Sequence, residues 1–187
     1  MSEWDKMLGG AHYDPSRAEL VSARERARAL VRRFNHAPPH DEQARRRAIA
    51  ALLGRCGERV RVESPFHCDY GVNIDLGDDV YINVNCVVLD CARVRVGARS
   101  LVGSGVQLIT AAHPIDATER RTGLEFAMPV TLGEDVWIGA GAIVCPGVSI
   151  GARSVIGAGS VVVRDLPADV VAAGNPCRVL RSLAQDA

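Results

Sequence analysis

Aromatic residues make up only 4% of the 187-residue chain. A core filled by large rings is therefore excluded, and stacked aliphatics suit the composition better. Charge of one sign is also missing. Lys and Arg number 22 and Asp and Glu number 22, so no overall basic bias exists to attract nucleic acid. No run of 18 apolar residues occurs, which excludes a spanning helix. The start, Met1 to Gly10, has no apolar signal core, and a cytoplasmic location is expected. None of the six cysteines (56, 68, 86, 91, 145 and 177) stands in a C-x-x-C pair, and their gaps are irregular. Buried free thiols are the expectation, not disulfides or a metal site. The five histidines show no cluster of the kind a metal-dependent hydratase would need.

What is present is a beat of six. From Leu132 the apolar residue at each sixth position reads Leu132, Ile138, Val144, Ile150, Ile156 and Val162. Gly follows it at 133, 139, 151 and 157, and a small or β-branched residue stands four places on. The same beat runs upstream through Leu76, Ile82 and Val88, and through Val96, Val102 and Leu108. Period six is the signature of a parallel β-helix. Each hexapeptide makes a short strand and a turn, three make a triangular coil, and each coil contacts only its neighbours. Coils are expected near 60–74, at 76–93, 96–112 and 132–149, with a further one from Ile150. Between Val88 and Val96 the spacing is eight, so that corner is stretched by two residues. Glycines and Asn83 or Asn85 should fall at corners.

Two breaks frame the repeat. Residues 1–55 lack the beat. Arg17 to Phe34 carries Leu20, Ala23, Ala27, Leu30 and Phe34 at spacings of three and four, an amphipathic helix starting near Pro15 and Ser16. Pro38 and Pro39 break it, and a second helix should run from an Asp41 cap to before Gly54. The arginines of both helices (24, 26, 28, 32, 33, 45, 46 and 47), interleaved with Glu, read as a solvated face and not as a nucleic-acid patch. The chain thus divides into a helical segment, 1–55, and a β-helix, 56–187, ending in a tail. The second break is residues 113–129. Because Leu108 and Leu132 are a multiple of six apart, it reads as a loop thrown from one corner, in phase. Long loops on rigid scaffolds carry function. His113 stands at its hinge. A lone His is usually structural, but it suits a general base better than a metal site.

Phe66-His-Cys-Asp-Tyr-Gly-Val-Asn-Ile, Thr110-Ala-Ala-His-Pro-Ile-Asp, Val136-Trp-Ile-Gly-Ala and Gly174-Asn-Pro-Cys-Arg-Val-Leu-Arg together resemble the maltose and galactoside O-acetyltransferases. The segment with Phe34-Asn35-His36 resembles the small domain preceding the β-helix in that family. The resemblance implies a left-handed parallel β-helix, and a homotrimer moving acetyl from acetyl-CoA to a sugar hydroxyl at sites between subunits. It implies no metal. It places the catalytic base on His113 and sugar contacts on Asp69, Asn83 and Cys91, with Asp90 beside the last. The oxyanion donor falls on the Ala140 N–H. CoA contacts fall on Ala158, Val163, Arg164, Arg178 and Arg181, with Trp137 nearby. Arginines there suit phosphates. Pro15, next to Asp14, and Cys91 stand where relatives offer acidic residues, so a broader acceptor range is expected. The rival readings are another hexapeptide acyltransferase, acting on serine, an antibiotic or a nucleotide sugar, and a non-catalytic scaffold.

Overall fold

The computed structural model describes residues 1–38 and 40–183. Pro39, half of the expected helix-breaking pair, lies outside them. Three short helices precede the repeat: α1 (Glu3–Leu8), α2 (Ala18–Asn35) and α3 (Glu42–Leu52). The Asp41 cap is present, its carboxylate accepting from the Ala44 N–H at 2.9 Å. Helix α2 starts at Ala18 after Arg17, which gives no side-chain cap. Among the described residues, no helix is long and apolar enough to cross a membrane.

The rest is a parallel β-helix with three faces. On the first face Leu76, Val96, Leu132 and Ile150 pair in one column. On the second the column is Ile82, Val102, Ile138, Ile156 and Ala172. On the third it is Val88, Leu108, Val144 and Val162. Strands of two to four residues suffice because one or two inward side chains per face fill the prism. All three columns are buried, and Ile138 and Val144 are fully so. Each aliphatic taken from water contributes about 1.5–3 kcal/mol. Within the expected tail, Cys177–Ser182 makes a strand antiparallel to Val170–Gly174.

The corners divide the glycine roles differently from the sequence expectation. Between the second and third faces, Asn85, Gly105, Gly141 and Gly159 do take positive φ. Between the first and second faces that conformation is held by Arg59, Asp79, Arg99, Asp135, Arg153 and Asp169, with φ of 53° to 61°. At five of the six, glycine stands two places earlier for spacing, and before Asp169 that position is Pro167. A Cβ on Gly97 would lie 2.4 Å from the carbonyl of Gly133 in the next coil. The strained residues alternate in charge, and Arg59–Asp79, Arg99–Asp135 and Arg153–Asp169 pair through two nitrogens each, at 2.6–2.8 Å.

The third corner, from the third face back to the first, absorbs every extra residue. Cys68 to Leu76 and Val88 to Val96 each span eight residues, and Leu108 to Leu132 spans 24. By the next coil, Val144 to Ile150, the spacing is six again. Stretched corners therefore stack along one edge. The helices pack on that edge and on the open end of the prism. Met7, Tyr13, Leu20 and Ala23 join Tyr70, Cys91, Ala92 and Ala127 in a second, smaller core. Two of the supposedly solvated arginines are contacts instead. The Arg24 guanidinium donates to the Tyr70 hydroxyl at 2.7 Å, and Arg45 donates to Ser64 and to the Val62 carbonyl while lying over Phe34.

Asn35 fastens α2 to the first coil. Its side-chain amide accepts from the Phe66 N–H and donates to the Phe66 carbonyl, both at 2.9 Å. Asn35→Ala leaves both backbone groups of a buried residue without partners. The expected loss is about 1–3 kcal/mol of unfolding free energy, read from the urea midpoint. A midpoint within error of wild type would mean that water replaces the clamp without penalty.

Candidate active site

The stretched edge gathers most of the chemistry-bearing side chains. Asp69 follows the third-face strand of one coil, and Asp90 and Cys91 follow that of the next. His113 follows the edge strand of the third. The insertion at 113–129 is ordered rather than loose. Ala111 and Ala112 pair antiparallel with Ala127 and Phe126, and Tyr13 extends the ladder by bridging Glu125 through both backbone groups. At its tip Asp116 caps a single turn, Ala117–Arg120.

Asp90 lies beneath the site. It is fully buried, and its carboxylate accepts from the Asp69, Tyr70 and Asn73 N–H groups at 3.1, 2.8 and 3.3 Å. Burial raises its pKa to about 6, and the Tyr70 N–H bond opposes that rise. In this geometry Asp90 shapes the corner that carries Asp69. The Asp69 carboxylate is only partly buried, and desolvation raises its pKa. Its Oδ2 accepts from the Cys91 thiol at 3.5 Å. Burial pushes Cys91 up to about 12, so the thiol stays protonated and acts as a donor.

His113 projects from this wall with its side chain 57% exposed. Its Nε2 is 4.0 Å from Oε1 of Glu125, whose other oxygen accepts from the Tyr13 hydroxyl at 2.8 Å. Tyr13 is fully buried, and burial pushes its pKa far upward, which keeps the hydroxyl a donor. The wall thus presents an exposed imidazole, a partly open carboxylate and a thiol. That set can take a proton and bind hydroxyl groups.

The sequence reasoning missed Tyr13, Glu125 and Arg24. No periodicity marks them. Tyr13 and Glu125 are 112 residues apart, and only the ladder brings them together.

The remaining candidates lie elsewhere on the same chain. Asn83 and Ala140 occupy the corner between the second and third faces, at the opposite end of the third-face strands from Asp69 and His113. Asn83 turns its amide oxygen to the Val84 N–H at 2.8 Å. The Ala140 N–H donates to no group among the described residues, and neither does that of Ala158, one coil along. Gly103 and Gly139 stand beside them. A Cβ on either would lie within 2.7 Å of the Ala140 or Ala158 nitrogen, so the glycines allow the corner loops to nest. Trp137 projects from the second face at 54% exposure. Val163 and Arg164 follow the last third-face strand, exposed. Arg178 and Arg181 lie exposed on the terminal hairpin, and neither they nor Arg164 form an ion pair among the described residues. Arg178 donates to the Cys177 carbonyl. One chain therefore carries Asn83, Ala140 and Ala158 on a different edge from Asp69 and His113, with Val163 and Arg164 farther along the edge that holds His113.

The Asp90 geometry makes a pH prediction. Its folded pKa of about 6 lies above the unfolded carboxylate value of about 3.9. The folded state then binds more protons between those values, and stability falls as pH rises from about 4 to about 6. In Asp90→Asn that component should disappear from a plot of thermal midpoint against pH. The variant should also be less stable throughout, because an Asn has one acceptor oxygen: turned to the Asp69 and Tyr70 N–H groups, it sets its NH2 against the Asn73 N–H. An unchanged pH slope would show that Asp90 titrates like a solvated carboxylate.

Comparison with known proteins identifies the family. Residues 6–57 match the maltose acetyltransferase hexapeptide capping motif, and residues 129–164 match the bacterial transferase hexapeptide repeats. The galactoside O-acetyltransferase of Escherichia coli is 40% identical over 164 residues, 88% of this chain and 81% of that protein. The crystal structure of a maltose O-acetyltransferase from Clostridium difficile superposes with a TM-score of 0.97 at 41% identity, covering 99% of both chains. A hexapeptide-repeat acetyltransferase of Vibrio cholerae, crystallised with acetyl coenzyme A, gives 0.93 at 40% identity, covering 99% of this chain and 100% of that one. The solenoid, the helical cap and these likenesses together make the chain a member of the maltose and galactoside O-acetyltransferase family, left-handed parallel β-helix enzymes built on hexapeptide repeats.

Proposed function

We propose that the chain transfers acetyl from acetyl-CoA directly to a hydroxyl of a sugar or glycoside, with His113 as general base, in a homotrimer whose sites lie between copies. The observation that carries this reading is the separation of the two half-sites. The stretched edge holds the imidazole and the polar wall. The glycine corner holds the Ala140 N–H, which has no acceptor among the described residues, and Arg178 and Arg181 on the terminal hairpin and Arg164 after the last third-face strand form no ion pair among them. Neither half can do the chemistry alone, and apposition of two copies completes both. The outward columns support the same contact. Apart from Arg61 at its first coil, the second face presents Tyr81, Leu101, Trp137, Val155 and Val171, and the third presents Val87, Ile143 and Val161 with His67 and Gln107 among them, whereas the first presents Asp75, Arg95, Thr131 and Ser149. Two apolar faces suit burial against other copies, and the charged one suits water.

The residues fit the co-substrate. Acetyl-CoA supplies the acyl group as a thioester. Trp137, Val163 and the Ala158 corner offer an apolar track, and Arg164, Arg178 and Arg181 offer donors for phosphates. His113 takes the proton of the acceptor hydroxyl as it attacks. The Ala140 N–H receives the developing oxyanion. Asn83 shares a corner with Ala140, so the same apposition brings it to Asp69 of the adjacent copy. Asp69, with the Cys91 thiol, then binds acceptor hydroxyls. Cys91 and Pro15 remove acidic partners from the pocket, which favours aryl or alkyl glycosides over free maltose. Free thiols throughout suit a reducing compartment such as the cytoplasm.

A panel of glucose, maltose, galactosides and aryl glycosides with acetyl-CoA, followed by thiol release, tests the assignment. His113→Ala should lower turnover about 10²- to 10⁴-fold and leave acetyl-CoA affinity nearly unchanged. Near-wild-type turnover would make His113 structural. Light scattering should give three times the 20.0 kDa chain mass, and an active single chain would refute the shared site.

Arg178→Ala and Arg181→Ala should weaken acetyl-CoA binding at low salt, and less at high salt, without affecting the acceptor. Calorimetric binding equal to wild type at low salt would make these arginines ordinary solvated surface.

A further inference from the structure

The ladder that ties Tyr13 to Glu125 places a fixed carboxylate beside an exposed imidazole. We infer that Glu125, clamped by Tyr13, is a positioning residue for His113: it holds Nε2 as the protonated nitrogen and leaves the Nδ1 lone pair for the acceptor hydroxyl. This rests on the reading of His113 as a general base.

Three observations carry it. The Glu125 side chain is 22% exposed, against 57% for His113, so the carboxylate is the fixed member and the imidazole the mobile one. Glu125 is held at three points: its N–H and carbonyl bond the Tyr13 backbone at 3.1 and 2.9 Å, and its Oε2 accepts from the Tyr13 hydroxyl at 2.8 Å. The free oxygen, Oε1, is the one facing His113 Nε2 at 4.0 Å. That distance is an ion-pair contact, too long for a hydrogen bond. A modest rotation of the exposed ring closes it, as such contacts tighten in a Michaelis complex.

The chemistry follows from the tautomer. A neutral imidazole has one N–H, and a carboxylate accepts it. With Nε2–H turned to Glu125, Nδ1 carries the lone pair. When Nδ1 takes the acceptor proton, the imidazolium formed is stabilised by the carboxylate. No proton need pass to Glu125. The other groups facing the pair are accounted for. Asp69 and Cys91 couple electrostatically to Glu125, and neither forms an ion pair with His113. Arg120 is turned to the Pro114 and Ile115 carbonyls at 3.0 and 2.7 Å. His12 pairs with Glu119 at 3.6 Å. Among the described residues, Glu125 is the carboxylate within 4.0 Å of the ring.

The test reads the imidazole itself, without an acceptor. Nitrogen-15 spectra of the full-length protein report the pKa and tautomer of His113, assigned by comparison with His113→Ala. Wild type should show mainly the Nε2–H tautomer. Glu125→Gln should lower the His113 pKa by roughly half a unit to one unit, because an opposite charge favours the imidazolium. Glu125→Ala should mix the tautomers. Tyr13→Phe keeps the buried ring but frees the carboxylate, and should give part of each effect. It also serves if a Glu125 variant fails to fold. With an active glycoside, the acid limb of kcat/KM should move to lower pH by the same amount in Glu125→Gln, while KM for acetyl-CoA stays within about twofold of wild type. A His113 titration and tautomer unmoved in every folded variant overturns the inference. Shifted spectra in a wild-type protein that acetylates no glycoside leave the clamp standing and refute the sugar assignment instead.

Discussion

Every coil must return in register on the coil below, and the rest of the structure depends on that. The columns Leu76/Val96/Leu132/Ile150, Ile82/Val102/Ile138/Ile156 and Val88/Leu108/Val144/Val162 are single file. A residue added within a face would turn an aliphatic outward and a polar group inward. Extra length can leave only at a corner. Two of the corners are closed to it, because glycine nesting at Gly97 or Gly139 leaves no room for even a Cβ. Chemistry that needs irregular backbone is therefore confined to the third corner, where three successive coils bulge.

The column pattern was legible because it repeats. A period of six survives any single substitution, and the in-phase return from Leu108 to Leu132 identified the hairpin as an excursion. The helices were legible from the three–four spacing in 17–34 and the Asp41 cap. Corner chemistry was less so. Six Arg and Asp residues hold left-handed backbone where glycine or asparagine was expected, and at five of them the glycine stands two places earlier instead, for close approach. The stretch at Val88 to Val96 was visible, but its twin at Cys68 to Leu76 was hidden by the irregular first coil. Residue roles were harder still. Asp90 reads as a pocket carboxylate in the sequence, yet it sits under three N–H groups of the neighbouring corner. Tyr13 and Glu125 gave no signal, because their partnership depends on a strand added from outside the repeat.

The helical cap has a double role. Asn35 and Arg45 tie it to the first coils, and Met7, Leu20 and Ala23 cover the stretched corners with apolar surface. That cover lowers the local dielectric around Asp69, Asp90 and Cys91, and burial moves all three upward in pKa. Cap and site are thus one construction, with the cap forming the wall behind His113.

The account turns on the proposal that the base and the oxyanion donor come from different copies. Mixing two inactive proteins tests it most directly. His113→Ala lacks the base, and Ala140→Pro lacks the N–H, a donor with no partner to lose among the described residues. Unfolded together and refolded as mixed assemblies, the two should regain activity at roughly a quarter of wild type per site, the share of randomly paired interfaces in which both contributing groups are intact. If base and donor belonged to one chain, every site in the mixture would stay defective. No activity above that of the separate variants would then contradict the account.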